Sequence, residues 1–86
     1  MTFDQWITEV NVRLKARLGE RIRTEELSWD SGMWVGPGGT AVASVADDGR
    51  TAKLWIDGQN RQEFPFRDAQ SRPEIVSQTI ARHISR

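Results

Sequence analysis

Two strand-like runs, Thr40 to Ala46 and Thr51 to Asp57, flank Asp48-Gly49, and this pair of runs constrains the chain more than any other feature. Asp-Gly between strand-like segments is the strongest short-range hairpin signal, because the favoured two-residue turns need positive φ there. A two-residue turn at Asp48-Gly49 sets Val45 opposite Ala52, Ala43 opposite Leu54 and Ala41 opposite Ile56. Side chains alternate along a strand, so these six share one side of the sheet. The other side carries Val42 across from Trp55 and Ser44 across from Lys53. One face is thus small and apolar, suited to close helix packing, and the other is mixed and bears one large aromatic.

A third strand is expected from Arg61 to Arg67. A two-residue turn at Asp57-Gly58 would carry Phe64 and Phe66 to the Trp55 face. A longer loop of odd length brings them beside Ala52, Leu54 and Ile56. Burying two Phe side chains is worth roughly 1.5–3 kcal/mol each, so the longer loop, Gly58-Gln59-Asn60 at minimum, is expected. Pro65 cannot donate to a ladder, which puts this strand at a sheet edge.

Helices bracket the strands. Phe3, Trp6, Ile7, Val10, Leu14 and Leu18 recur at steps of three and four and predict a helix from about Phe3 to Leu18. Thr2 with Gln5 forms a capping-box pattern, Gly19 supplies the stop, and Glu9 and Arg13 are spaced to pair. Ser71-Arg72-Pro73-Glu74 opens a second helix, with Ser71 as cap and Val76, Ile80 and Ile84 as its stripe to about Ser85. Residues 20–39 are poorly patterned. The reading there is a helical turn at Thr24-Glu25-Glu26, with Leu27 and Trp29 tucked towards the core. A turn at Asp30-Ser31-Gly32, a short strand Met33-Trp34-Val35 and a turn at Gly36-Pro37-Gly38-Gly39 follow.

The chain has 86 residues, enough for one core, so residues 1–86 are read as a single α+β domain. The expected architecture is helix, three-stranded antiparallel sheet, helix in two layers, with room for an extra short strand near residues 33–35. Twelve basic and twelve acidic residues cancel, unlike the domain-wide excess of a dedicated polyanion binder. No apolar run is long enough to span a membrane, and residues 1–18 lack a signal peptide's apolar centre. A soluble, cytoplasmic protein is expected.

The residue inventory leaves little for catalysis. There is no Cys, and His83 is the only imidazole, placed in the last helical turn where the helix dipole favours it. Asp47-Asp48 and Glu25-Glu26 lack the converging oxygens of a hard-metal site. Gly36-Pro37-Gly38-Gly39-Thr40 lacks the Lys of a phosphate loop and runs into a strand. The expectation is therefore no enzyme, no catalytic residues, no cofactor and no metal.

Two features carry functional weight. The first is the basic run Arg13, Lys15, Arg17, Arg21 and Arg23, read as a solvated face or, alternatively, as a nucleic-acid contact. The second is tryptophan: Trp6, Trp29, Trp34 and Trp55 in so short a chain. Trp6 belongs to the helix stripe. Trp55 lies on the side of the sheet away from the helices, where an uncovered Trp is an interface anchor. The alternative has Met33-Trp34-Val35 folding back over it. The order helix, three strands, helix is similar to that of the double-stranded-RNA-binding domain. In that family a Lys-rich entry to the last helix grips phosphates, and here Ser71-Arg72-Pro73-Glu74 stands in its place.

The leading expectation is a small non-enzymatic binding or inhibitor protein that acts by protein–protein contact through Trp55, Val42, Lys53 and Trp34. Size and type narrow it to regulators such as phage inhibitors of host defence. Nucleic-acid binding through Arg13–Arg23 is the alternative, and self-association through the sheet face or edge is open.

Overall fold

The computed structural model describes residues 2–68 and 71–86, with Phe64 described through its backbone. Helix α1, Phe3–Leu18, forms as its periodicity predicts, and all six residues of its stripe are buried. Thr2 Oγ1 accepts the Gln5 N–H at 3.2 Å while Gln5 Oε1 accepts the Thr2 N–H at 2.8 Å, closing the capping box. Gly19, at φ 57°, ends the helix in a conformation that a side chain would disfavour. A 3₁₀ turn, Gly19–Arg21, leads into the sheet.

The sheet has five strands rather than three: β1 Arg23–Leu27, β2 Ser31–Gly36, β3 Gly39–Val45, β4 Thr51–Ile56 and β5 Gln59–Pro65. They form an antiparallel meander in the order β1-β2-β3-β4-β5. The fold is α+β, but its element order is helix, five strands, helix, so the likeness to the double-stranded-RNA-binding order does not extend through the sheet. Helix α2, Pro73–Ile84, closes the domain. Among the described residues no helix is long and apolar enough to cross a membrane.

The β3–β4 register is the one derived from the sequence: Val45 pairs with Ala52, Ala43 with Leu54, Ala41 with Ile56 and Val42 with Trp55. The turn itself is wider than two residues. Ala46 donates to Thr51 O at 2.8 Å, and Asp47 to Arg50 form the loop beyond it. Asp48 organises this loop by accepting the Arg50 N–H at 2.8 Å, the Thr51 N–H at 2.9 Å and the Thr51 hydroxyl at 2.8 Å. These bonds, the Arg50 N–H first, hold its carboxyl below the ordinary value.

The β4–β5 connection reverses the sequence expectation and keeps its result. Ile56 pairs with Gln59 across a two-residue turn in which Asp57 and Gly58 have φ of 51° and 82°. This is the tight, primed type of hairpin turn. A bulge follows: Trp55 pairs with Asn60 but Leu54 pairs with Gln62, leaving Arg61 as the surplus residue. Beyond it Ala52 faces Phe64, and Phe66, buried, donates its N–H to Arg50 O at 3.0 Å. Phe66 therefore reaches the core through a bulge rather than a longer loop. The side chain of Phe64 lies outside the described residues. β5 is an edge strand, as Pro65 requires.

Residues 23–36 depart most from the expectation. Thr24-Glu25-Glu26 is strand, not a helical turn, with a bulge between Thr24 and Glu26 where it pairs with β2. Leu27 and Trp29 are not tucked inward but 42% and 72% exposed. Met33-Trp34-Val35 does not fold back over Trp55; it sits in the middle of β2, hydrogen-bonded between β1 and β3.

Both helices cover one side of the sheet. Buried residues from α1, α2 and the Ala41, Ala43, Ala52, Leu54, Ile56 face form one core with Trp34 and Phe66. Phe3, Trp6 and Phe66 pack as an aromatic group, Phe3 and Phe66 edge to face at 5.9 Å. Ser71 does not cap α2, whose N-cap is Arg72 without a side-chain bond. Ser71 is buried instead, donating to Pro65 O at 2.6 Å and accepting Trp6 Nε1–H on its carbonyl at 2.6 Å. The far end of α2 rests on the β2–β3 turn. Gly38 N–H satisfies the Ile84 carbonyl at 2.9 Å, and a Cβ at Gly36 would run into that same carbonyl.

Candidate protein-contact surface

The side of the sheet opposite the helices carries no covering element among the described residues. Its central row runs Glu26, Met33, Val42, Trp55, Asn60 from β1 to β5, each opposite the next. Alternation adds Val35 beside Met33 on β2. Met33, Val35, Val42 and Trp55 are all half-buried, so their side chains lean on one another and leave an apolar strip facing outwards. The neighbouring row, Ser31, Ser44, Lys53, Glu63, is polar, and Lys53 approaches Glu63 at 3.9 Å. Three of the four expected contact residues, Trp55, Val42 and Lys53, thus come together on this face.

Trp34 does not. It is fully buried on the helix side, where Nε1–H donates to Asn11 Oδ1 at 2.9 Å. The same oxygen accepts the Thr24 hydroxyl at 2.8 Å, so Asn11 joins α1 to β1 and β2 through one acceptor. The parity of β2 decides this: once Met33 and Val35 lie on the open face, Trp34 must lie on the other.

Trp29, expected to tuck towards the core, is exposed instead. It stands at the tip of the β1–β2 turn, which is tightly tied. Ser28 N–H donates to Ser31 O at 2.8 Å, Ser28 Oγ to Asp30 Oδ1 at 2.7 Å, and Val45 N–H to Asp30 O at 3.0 Å. A large aromatic on a fixed backbone loses little freedom on binding. The available signal was its setting in Ser-Trp-Asp-Ser, a polar turn composition.

The basic run is divided by the fold. Arg13 lies 3.6 Å from Glu9 and 3.7 Å from Glu74, and Arg17 is hydrogen-bonded to Glu74. That bond, helped by one from Gln78 and outweighing the opposite effect of desolvation, holds the Glu74 carboxyl below its ordinary value. Arg23 is paired with Glu25, while Lys15 and Arg21 are exposed. Arg21 and Arg23 line a groove of 540 Å³ with Glu20, Ile22, Val35, Gly36 and Pro37.

His83 is half-buried in the last turn of α2. Among the described residues no three His, Asp or Glu side chains are grouped so as to hold a metal ion. No protein-family model matches the chain, and neither the curated proteins nor the solved structures provide a match.

Proposed function

We propose that this chain is a non-enzymatic binding protein that acts through protein–protein contact, with the helix-free face of its sheet as the contact surface. The observation that carries this is the in-register apolar strip Met33, Val42, Trp55 on a sheet face that no element covers among the described residues. Open faces of antiparallel sheets are ordinarily polar, so an aromatic and two aliphatic side chains at the centre call for a covering surface. The polar row Ser31, Ser44, Lys53, Glu63 along one side matches the polar rim that borders the apolar centre of protein interfaces. Trp29 adds an exposed aromatic at the tip of the β1–β2 turn. Nucleic-acid binding through Arg13 to Arg23 is less well supported, because Arg13 and Arg17 are both engaged with Glu74.

The test is capture from the native host with wild-type protein, Trp55→Ala and, as a control on the helix surface, Val12→Ala. Trp55→Ala is expected to stay folded, at a cost of about 1–2 kcal/mol rather than the 3–5 of a buried aromatic. It should lose its partner at least about tenfold, as loss of a Trp anchor does, while Val12→Ala retains it. A melt showing a loss of about 3 kcal/mol or more for Trp55→Ala would make the residue structural. Sedimentation separates a foreign partner from a second copy of this chain.

A further inference from the structure

Zero net charge conceals an uneven distribution. Gly36 and Gly38 meet the end of α2, Arg23 pairs with Val35, and Asp57 is bonded to Thr40. One end of the molecule therefore gathers the β2–β3 and β4–β5 turns, the start of β1 and the C-termini of both helices. Arg21, Arg23, Arg82 and Arg86 lie there, against Glu20 and Asp57. The helix C-termini offset part of that charge for arginines on the helices themselves. Arg21 lies beyond them in the 3₁₀ turn, exposed and without an ion pair among the described residues. Arg23 is held only by an exposed pair with Glu25, the kind that contributes little.

The groove between these two arginines has a floor of different chemistry. Val35 and Pro37 line it, and Val35 continues onto the open sheet face beside Met33. Guanidinium groups over an apolar floor, opening towards an apolar strip, complement a carboxylate next to an apolar side chain. We propose that this groove takes an acidic, extended protein segment, its carboxylate against Arg21 and Arg23 and its neighbouring apolar side chain on Val35 and Pro37. This rests on the protein-contact reading and names the chemistry of the partner. A phosphate backbone fits less well. Its affinity grows with the number of phosphates neutralised, whereas this groove offers two guanidinium groups.

The experiment titrates the full chain, followed by amide NMR, with three probes: a short blocked peptide alternating Glu and Leu, the same peptide with Lys for Glu, and an RNA duplex. The Glu–Leu peptide is expected to shift the amides of residues 20–23 and 35–36 and to bind about tenfold more weakly to Arg21→Glu/Arg23→Glu. Arg21→Gln, which adds no repulsion, should weaken it less, and the Lys–Leu peptide should not bind. Equal binding of both peptides, tighter binding of the duplex, or no binding of the Glu–Leu peptide overturns the proposal. Host capture keeps the two readings apart. A partner lost by Trp55→Ala but retained by the double arginine variant removes the acidic groove and leaves the protein-contact function standing.

Discussion

Removing the Asn11 carboxamide should destabilise the domain by about 2 kcal/mol, because it strands the indole N–H of Trp34 inside the core. Trp34 is fully buried and gives its one hydrogen to Asn11 Oδ1 at 2.9 Å. Leaving such a donor unpaired costs about 1–3 kcal/mol. The Thr24 hydroxyl, which shares the same acceptor, is half-buried and can turn to water, so it adds little. A domain of this size unfolds in urea with a slope near 1 kcal/mol per molar, which makes the expected shift in midpoint about 2 M. The stronger test is a cycle of Asn11→Ala, Trp34→Phe and the double variant. Once the indole N–H is gone, losing the carboxamide should matter less, so the two losses should fall short of additive by about 1–2 kcal/mol. Additivity within about 0.3 kcal/mol would mean that Trp34 does not depend on Asn11 and that its placement inside the sheet–helix layer is wrong.

Leu54→Ala, at a site 1% exposed, should cost about 2–5 kcal/mol in a denaturant melt. Gly36→Ala forces a methyl group against the Ile84 carbonyl and should cost about 1–3 kcal/mol. Hydrogen exchange should show the loss concentrated in the last turn of α2. Asp48 and Glu74 both titrate below their ordinary values of 3.8 and 4.5 in the folded state. Their contribution to stability is therefore complete above those ordinary values and is lost as pH falls through the lowered folded ones. Urea melts from neutral pH into the acid range should show Asp48→Asn losing less stability than wild type.

What could be read in advance tracks how strongly each segment commits to one buried face. The two helices and the β3–β4 pairing place apolar residues at unbroken periods, so their faces and register followed directly. β1 was hidden because Arg-Thr-Glu-Glu-Leu is an edge strand with a bulge at Glu25, which breaks the alternation a strand is recognised by. β2 was under-read because Gly32 and Gly36 lower its strand propensity. A Cβ at Gly32 would lie 2.8 Å from the Trp34 ring, so that glycine answers to packing and not to a turn. On the open face, parity placed Trp55, Val42 and Lys53 together from the hairpin alone. Trp34 was misplaced because the short strand Met33-Trp34-Val35 was read without its partners β1 and β3, and Trp29 was legible only in the polar composition of its turn, Ser28 to Ser31.

The bulge at Arg61 gives β5 an uneven tolerance of error. The stretch from Gln62 to Phe66 answers to the core, since its pairing with β4 and the Phe66 N–H bond to Arg50 share one register. Gln59 and Asn60 answer to the Asp57-Gly58 turn, and Arg61 takes up the mismatch between the two demands. A three-residue loop from Asp57 to Gln59 with no bulge would deliver Gln62 to the same partner, Leu54. A substitution that spoils the tight turn, such as Gly58→Val, can thus be absorbed by moving the surplus residue from Arg61 into the loop. The disturbance stops before Gln62. Deleting Arg61 is absorbed more simply still, because Asn60 then runs directly into Gln62 and both the tight turn and the inner register are kept.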